Sequence, residues 1–131
     1  MVLDTSALIA ILAAEPEATA LAAAIAAADV CRLSAASLLE TAIVIEARHG
    51  PAGGQKLDEL IHAAQIQIEP VTAEQVTAAR LAYRTYGKGR HPAGLNYGDC
   101  FSYALAKISG ESLLFKGEDF SQTDIEAVAY S

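Results

Sequence analysis

Four carboxylates stand out for the chemistry they could do together: Asp4, Glu40, Asp99 and Asp119. Asp4 ends the apolar run Met1-Val2-Leu3, and two hydroxyls, Thr5 and Ser6, follow it. Glu40 lies in a long apolar stretch with no lysine or arginine within four residues. A carboxylate in such company needs a partner, because burying even a neutral polar group without one costs roughly 2–7 kcal/mol. A cation shared with the other acids would neutralise all of them. Hard oxygen donors without histidine or cysteine suit Mg²⁺ or Mn²⁺ rather than zinc. Such a centre can hydrolyse a phosphodiester. One ion lowers the pKa of a bound water, and a second, about 3.5–4 Å away, steadies the leaving oxygen.

Each acid also has an ordinary structural explanation. Asp4 would cap a helix. Ser37-Leu38-Leu39-Glu40 has capping-box spacing, so Glu40 would bond back to the backbone. Asp99 falls in a first helical turn, where the macrodipole favours an anion, and Asp119 in a tight turn. Thr5 and Ser6 either open a helix or orient metal-bound water and phosphate. Asn96 either caps a helix or joins them. The cations Arg80, Arg84, Lys88 and Arg90 fall within eleven positions. They read as a solvated helix end, or, at Arg84, Lys88 and Arg90, as a grip on an RNA backbone. Tyr83, Tyr86 and Tyr97 interleave with them and would stack bases or pack half-buried. His49, His62 and His91 are scattered and receive no role.

The elements that position the acids follow from apolar patterning. Met1–Leu3 reads as a buried strand that feeds a helix over Ser6–Ala14. Glu15-Pro16-Glu17 opens a second helix through Ala28, with Pro near its first position. Val30–Ser34 is a strand and Ala35–Ala47 a helix, whose face bearing Ala36, Glu40, Ile43, Val44 and Ala47 reads as buried. Arg48-His49-Gly50-Pro51 stops it. A helix over Gly54–Ala64, a strand over Ile66–Glu69 and a capping-box helix from Thr72 to Arg84 follow. Residues 86–94 form a Gly-rich basic loop, Asn96 caps a helix to Ser109, and Ser112–Phe115 is a strand. Ala127–Ala129 reads as a last short one. Strands alternating with helices imply an α/β fold with a central, mostly parallel sheet. Strand ends and helix starts then share one edge, where open sheets bind ligands.

At 131 residues the chain reads as one domain, 1–131, with a substantial core. Its net charge of −7 argues against broad, nonspecific nucleic-acid binding but not against a local basic groove. Cys31 and Cys100 sit in apolar surroundings without metal-type spacing, as reduced core thiols of a cytoplasmic protein would. No secretory leader fits, and Ala18–Ala28 is too short to cross a membrane.

The opening Met-Val-Leu-Asp4-Thr5-Ser6-Ala7-Leu8, the mid-chain Glu40, the segment Leu95-Asn96-Tyr97-Gly98-Asp99-Cys100 and the late Leu113-Leu114-Phe115-Lys116-Gly117-Glu118-Asp119-Phe120 together resemble a PIN domain. More narrowly they resemble VapC, the toxin of bacterial type II toxin–antitoxin pairs. The resemblance spans essentially the whole chain. It implies a three-layer α/β/α sandwich and a Mg²⁺- or Mn²⁺-dependent endoribonuclease. Asp4, Glu40 and Asp99 would be catalytic metal ligands, with Asp119 as the fourth acid. Many relatives keep a further acid where this chain has Gly117. That departure leads us to expect one tightly held ion and one that arrives with substrate, with Glu118 pointing elsewhere. The family further implies a homodimer, and a VapB-type antitoxin whose C-terminal tail crosses the groove in a higher-order complex.

Two other readings stay open at this level. One is a housekeeping RNA- or DNA-processing nuclease of the same fold without an antitoxin. The other is a non-catalytic interaction module whose acids are caps only. A phosphorylatable receiver-like domain fits poorly, because the first acid ends its strand without an adjacent acidic partner.

Overall fold

The computed structural model describes residues 1–131. Four short parallel strands form one sheet: β1 (Val2–Leu3), β2 (Arg32–Ser34), β3 (Gln67–Glu69) and β4 (Leu113–Leu114), in the order β3-β2-β1-β4. Val2 pairs with Arg32 on one side and Leu113 on the other, so β1 is internal. Six helices make the crossovers: α1 (Thr5–Leu12), α2 (Ala18–Ala27), α3 (Ala35–His49), α4 (Pro51–Ala63), α5 (Ala73–Tyr86) and α6 (Tyr97–Ser109). None is long and apolar enough to cross a membrane.

Alternation along the strands fills a core on each face of the sheet. Leu3 and Leu114 point into a cluster with Leu8, Leu21, Ile45 and Leu57 from α1 to α4. Their neighbours Val2 and Leu113 point the opposite way, among Tyr103, Leu105, Phe115 and Phe120. Each fully buried leucine contributes about 1.5–3 kcal/mol. The two cores hold the three layers of an α/β/α sandwich together.

Several boundaries differ from the sequence expectation. α2 starts at Ala18, and its N-cap Glu17 makes no side-chain cap bond. Glu15 and Glu17 both turn instead to the Lys116 ammonium, at 2.8 and 3.1 Å. α4 begins at Pro51 rather than Gly54, because Gly50 reverses the chain at φ +66 and leaves Pro51 at the first helical position. The expected strand at Ala127–Ala129 is a single bridge between Leu113 and Ala127. Thr72 caps α5 through the Gln75 N–H, but the Gln75 amide donates to the Pro70 carbonyl, so the box is not reciprocal.

Candidate active site

Asp4 follows β1 directly and caps α1. One carboxylate oxygen accepts from the Ser6 N–H (3.0 Å) and hydroxyl (2.6 Å), and the other from the Ser102 hydroxyl at 2.6 Å. The side chain is 4% exposed. Three bonds fix its orientation, and capping a helix and facing the sheet edge prove compatible. Ser37 lies 3.3 Å behind Ser102, and the Lys116 N–H donates to Ser6 at 3.0 Å. The residues after β4 are thereby tied to the first acid.

Asp99 occupies the first turn of α6 in a reciprocal capping box. Its backbone N–H donates to Asn96 Oδ1 (2.9 Å), and its Oδ2 accepts from the Asn96 N–H (3.0 Å). The cap role expected of Asn96 is therefore realised. Burial first, then the charges of Asp4 and Asp119, together push the Asp99 carboxyl up to about 7 against the opposing Asn96 bond. Asp119 is on an exposed turn after β4, near enough for its charge to act on Asp99. No lysine or arginine is paired with Asp4, Asp99 or Asp119; the ion pairs of the molecule lie elsewhere.

Glu40 is placed differently from the capping-box expectation. α3 is capped by Ser34, whose hydroxyl accepts from the Ala36 N–H, so Glu40 is in the second turn and has no backbone cap to make. It accepts from the Thr5 hydroxyl at 2.9 Å. Its carboxylate lies over Gly98, where any Cβ would collide with it. Its helical face is not buried as expected: Ile43 is 60% exposed, and the inward face carries Ser37, Thr41 and Ile45. Glu40 thus borders Asp4 through Thr5 and Asp99 through Gly98, without bonding to either acid.

Gly117 adopts φ +103, a conformation that disfavours any side chain, with open space around it. Glu118 is exposed and accepts from the Ser121 hydroxyl at 3.2 Å, away from the other acids. No three His, Cys, Asp or Glu side chains converge closely enough to hold an ion by themselves. The donor set suits an ion that keeps its waters. Mg²⁺ is commonly held by one or two carboxylates plus water and substrate phosphate. Burial and the neighbouring acid push the Cys100 thiol up to about 11, which removes it as a nucleophile.

The basic residues separate into two groups. Arg84 and Arg90 line a groove of about 660 Å³ between α5 and α6, together with Arg80, Tyr83, Tyr97 and Phe101. Lys88 is exposed outside it. Tyr86 packs half-buried between His91 and Tyr103 rather than presenting a face for stacking. Sequence reasoning did not single out Ser102 and Lys116. A serine within a helix and a backbone N–H carry no local mark, because their partners are 98 and 110 residues away.

Residues 1–126 match the family model described as PIN domain. Ribonuclease VapC30 of Mycobacterium tuberculosis is 62% identical over 129 residues, covering 98% of each chain. Ribonuclease VapC of Mycolicibacterium smegmatis is 62% identical over 128 residues, covering 98% of this chain and 99% of that one. Among solved structures, M. tuberculosis VapC20, described as a Sarcin-Ricin loop cleaving toxin, superposes with a TM-score of 0.80 at 20% identity over 97% of both chains. VapBC2 from Rickettsia felis, bound to a promoter DNA fragment, does so at 0.76 and 14% identity over 99% and 98%. At those identities the structural likeness is one of fold. Set beside the acids at the sheet edge, the matches at 62% identity make this chain a member of the PIN-domain family, among the VapC ribonucleases.

Proposed function

We propose that the chain is the toxin of a type II toxin–antitoxin pair, a Mg²⁺- or Mn²⁺-dependent endoribonuclease acting in the cytoplasm. The observation that carries the metal-dependent reading is the crowding of Asp99 by Asp4 and Asp119 without a cationic side chain to offset them. Asp4, Glu40, Asp99 and Asp119 are the catalytic and metal-binding set. Ser6 and Ser102 hold Asp4 in one orientation, and Thr5 does the same for Glu40. A bound ion would supply a water of lowered pKa and positive charge for the leaving oxygen. The N-termini of α1 and α6 add donors that favour the scissile phosphate. Arg84, Lys88 and Arg90 supply charge for the RNA backbone. The absence of an acid at Gly117 supports a second ion that arrives with the substrate.

A VapB-type antitoxin is the expected partner. Leu39 and Ile43 on α3 are 62% and 60% exposed, and a groove of about 500 Å³ between α3 and α4 is lined by Leu38, Leu39 and Ala42. Exposed apolar patches of this kind mark partner surfaces. They suit an antitoxin segment and a homodimer within a larger complex. A basic side chain from the antitoxin tail would neutralise the acids in place of the ion.

The experiment is cleavage of total RNA by wild type and Asp4→Asn, with and without Mg²⁺ or Mn²⁺. Cleavage by wild type alone, and only with the ion, is expected. Equal cleavage by the mutant would overturn the metal mechanism. The housekeeping alternative is separated by co-expression: growth arrest relieved by the neighbouring small gene identifies a toxin.

A further inference from the structure

The buried serine, threonine and glutamine side chains are Ser34, Ser37, Thr41, Gln75 and Ser102. Three of them bond locally. Ser34 caps α3, Thr41 donates to the Ser37 carbonyl one turn back at 2.7 Å, and Gln75 donates to the Pro70 carbonyl. The hydroxyls of Ser37 and Ser102 do not. A serine inside a helix ordinarily turns its hydroxyl back to a carbonyl of the preceding turn, as Ser109 of α6 does to Leu105 at 2.7 Å. Ser102, in the same helix, donates instead to Asp4 Oδ1 at 2.6 Å. Its oxygen lies 3.3 Å from the Ser37 hydroxyl of α3. Two hydroxyls are thus buried where a pair of alanines would pack without their desolvation cost.

Counting protons fixes the direction of the pair. A serine hydroxyl carries one proton, and that of Ser102 goes to the carboxylate. Ser37 is therefore the donor to Ser102, and a directed chain runs from Ser37 through Ser102 to Asp4 Oδ1. Oδ2 accepts twice, from the Ser6 N–H at 3.0 Å and the Ser6 hydroxyl at 2.6 Å. Each carboxylate oxygen offers two lone pairs. Both on Oδ2 are taken, and one on Oδ1 is left. Resting on the metal-dependent ribonuclease reading above, we propose that Ser37 and Ser102 are positioning residues that leave Asp4 one free lone pair, on Oδ1, with which to hold the ion. Ser102 fixes the rotation of the carboxylate. Ser37 fixes the rotation of the Ser102 hydroxyl and strengthens its bond.

The test is calorimetric titration of Mn²⁺ into the full chain, for wild type, Ser102→Ala, Ser37→Ala and the double variant, with ion-free thermal melts of each. Ser102→Ala is expected to weaken Mn²⁺ affinity by about 10–100-fold, and Ser37→Ala by roughly two- to fourfold. The double variant should bind no more weakly than Ser102→Ala, because Ser37 acts only through Ser102. RNA cleavage by Ser102→Ala should need correspondingly more Mn²⁺ yet approach the wild-type rate at saturation, a recovery that lost packing would not show. Wild-type affinity in folded Ser102→Ala overturns the proposal while the nuclease reading stands, and so does a double variant in which the two losses multiply. If Ser102→Ala does not fold, Ser37→Ala decides, since it leaves the bond to Asp4 in place; unchanged affinity there overturns the chain. If wild type neither binds Mn²⁺ nor cuts RNA, both readings fall together.

Discussion

The two edges of the same small sheet treat carboxylates in opposite ways. Where β1, β2 and β4 begin, Arg32 reaches Glu111 at 2.7 Å and extends along the sheet to Glu69, the last residue of β3, at 2.8 Å, and the Met1 ammonium also donates to Glu111. Burial alone would raise the Glu111 pKa, but the ammonium and the guanidinium outweigh it and hold the carboxyl below its ordinary value. At the other edge Asp99 is pushed up to about 7, with Asp4 and Asp119 beside it. One edge is neutralised by the chain itself, and the other has no cationic side chain paired with its acids. The two carboxyls move in opposite directions because Glu111 has two cations beside it, whereas Asp99 has burial and like charges.

The largest effect expected is at the open edge. Asp4→Asn should reduce RNA cleavage at least about a hundredfold with the fold retained, since an amide can still meet Ser6 and Ser102. Asp4→Ala should also lower stability, because it strands those donors at about 1–3 kcal/mol per unsatisfied group. Gel assays and thermal melts distinguish the two variants. Gly98→Ala comes next. Its Cβ would displace the Glu40 carboxylate, and a displacement of that kind costs about ten- to a hundredfold in rate. Stability should hold or rise, since alanine is favoured over glycine in a helix by about 1 kcal/mol. Full activity in this variant would remove Glu40 from the site.

The pH dependence of the ion-free protein is the third expectation. The folded chain keeps a proton on Asp99 up to about pH 7, whereas the ordinary carboxyl value is 3.8. The folded state therefore binds the extra proton between those values, and stability falls as pH rises through that window. Asp99→Asn should melt higher than wild type at pH 8 and flatten the slope. At the closed edge the sign reverses. The contribution of Glu111 is present above its unfolded pKa and is lost as pH falls through its lower folded value. Arg32→Ala, the smallest effect, should lower the melting temperature slightly and leave cleavage unchanged. A loss of cleavage in that variant would break the contrast between the edges.

Much of the open edge was legible in the sequence. The abrupt change from Met1–Leu3 to Asp4, and the Asn96–Asp99 spacing, are local signals that the folded chain keeps. The misreadings arose where two local signals competed. Ser34 and Ser37 both precede helix-forming residues. The strand geometry of Ser34, at ψ 138, gives it the cap and moves Glu40 into the second turn. Glu15-Pro16-Glu17 resembled a helix start, but its acids face Lys116, about a hundred residues away. Ser102 and the exposed side of the Glu40 face depend on which surfaces meet across the sheet. No window of sequence contains that.

The central claim is that the open edge is completed by a divalent cation, and a calorimetric Mn²⁺ titration near neutral pH tests it most directly. Wild type and Glu111→Gln should bind with the same affinity, and Asp99→Asn should lose most of it. Equal binding by wild type and Asp99→Asn, or no saturable binding by wild type, would contradict the account.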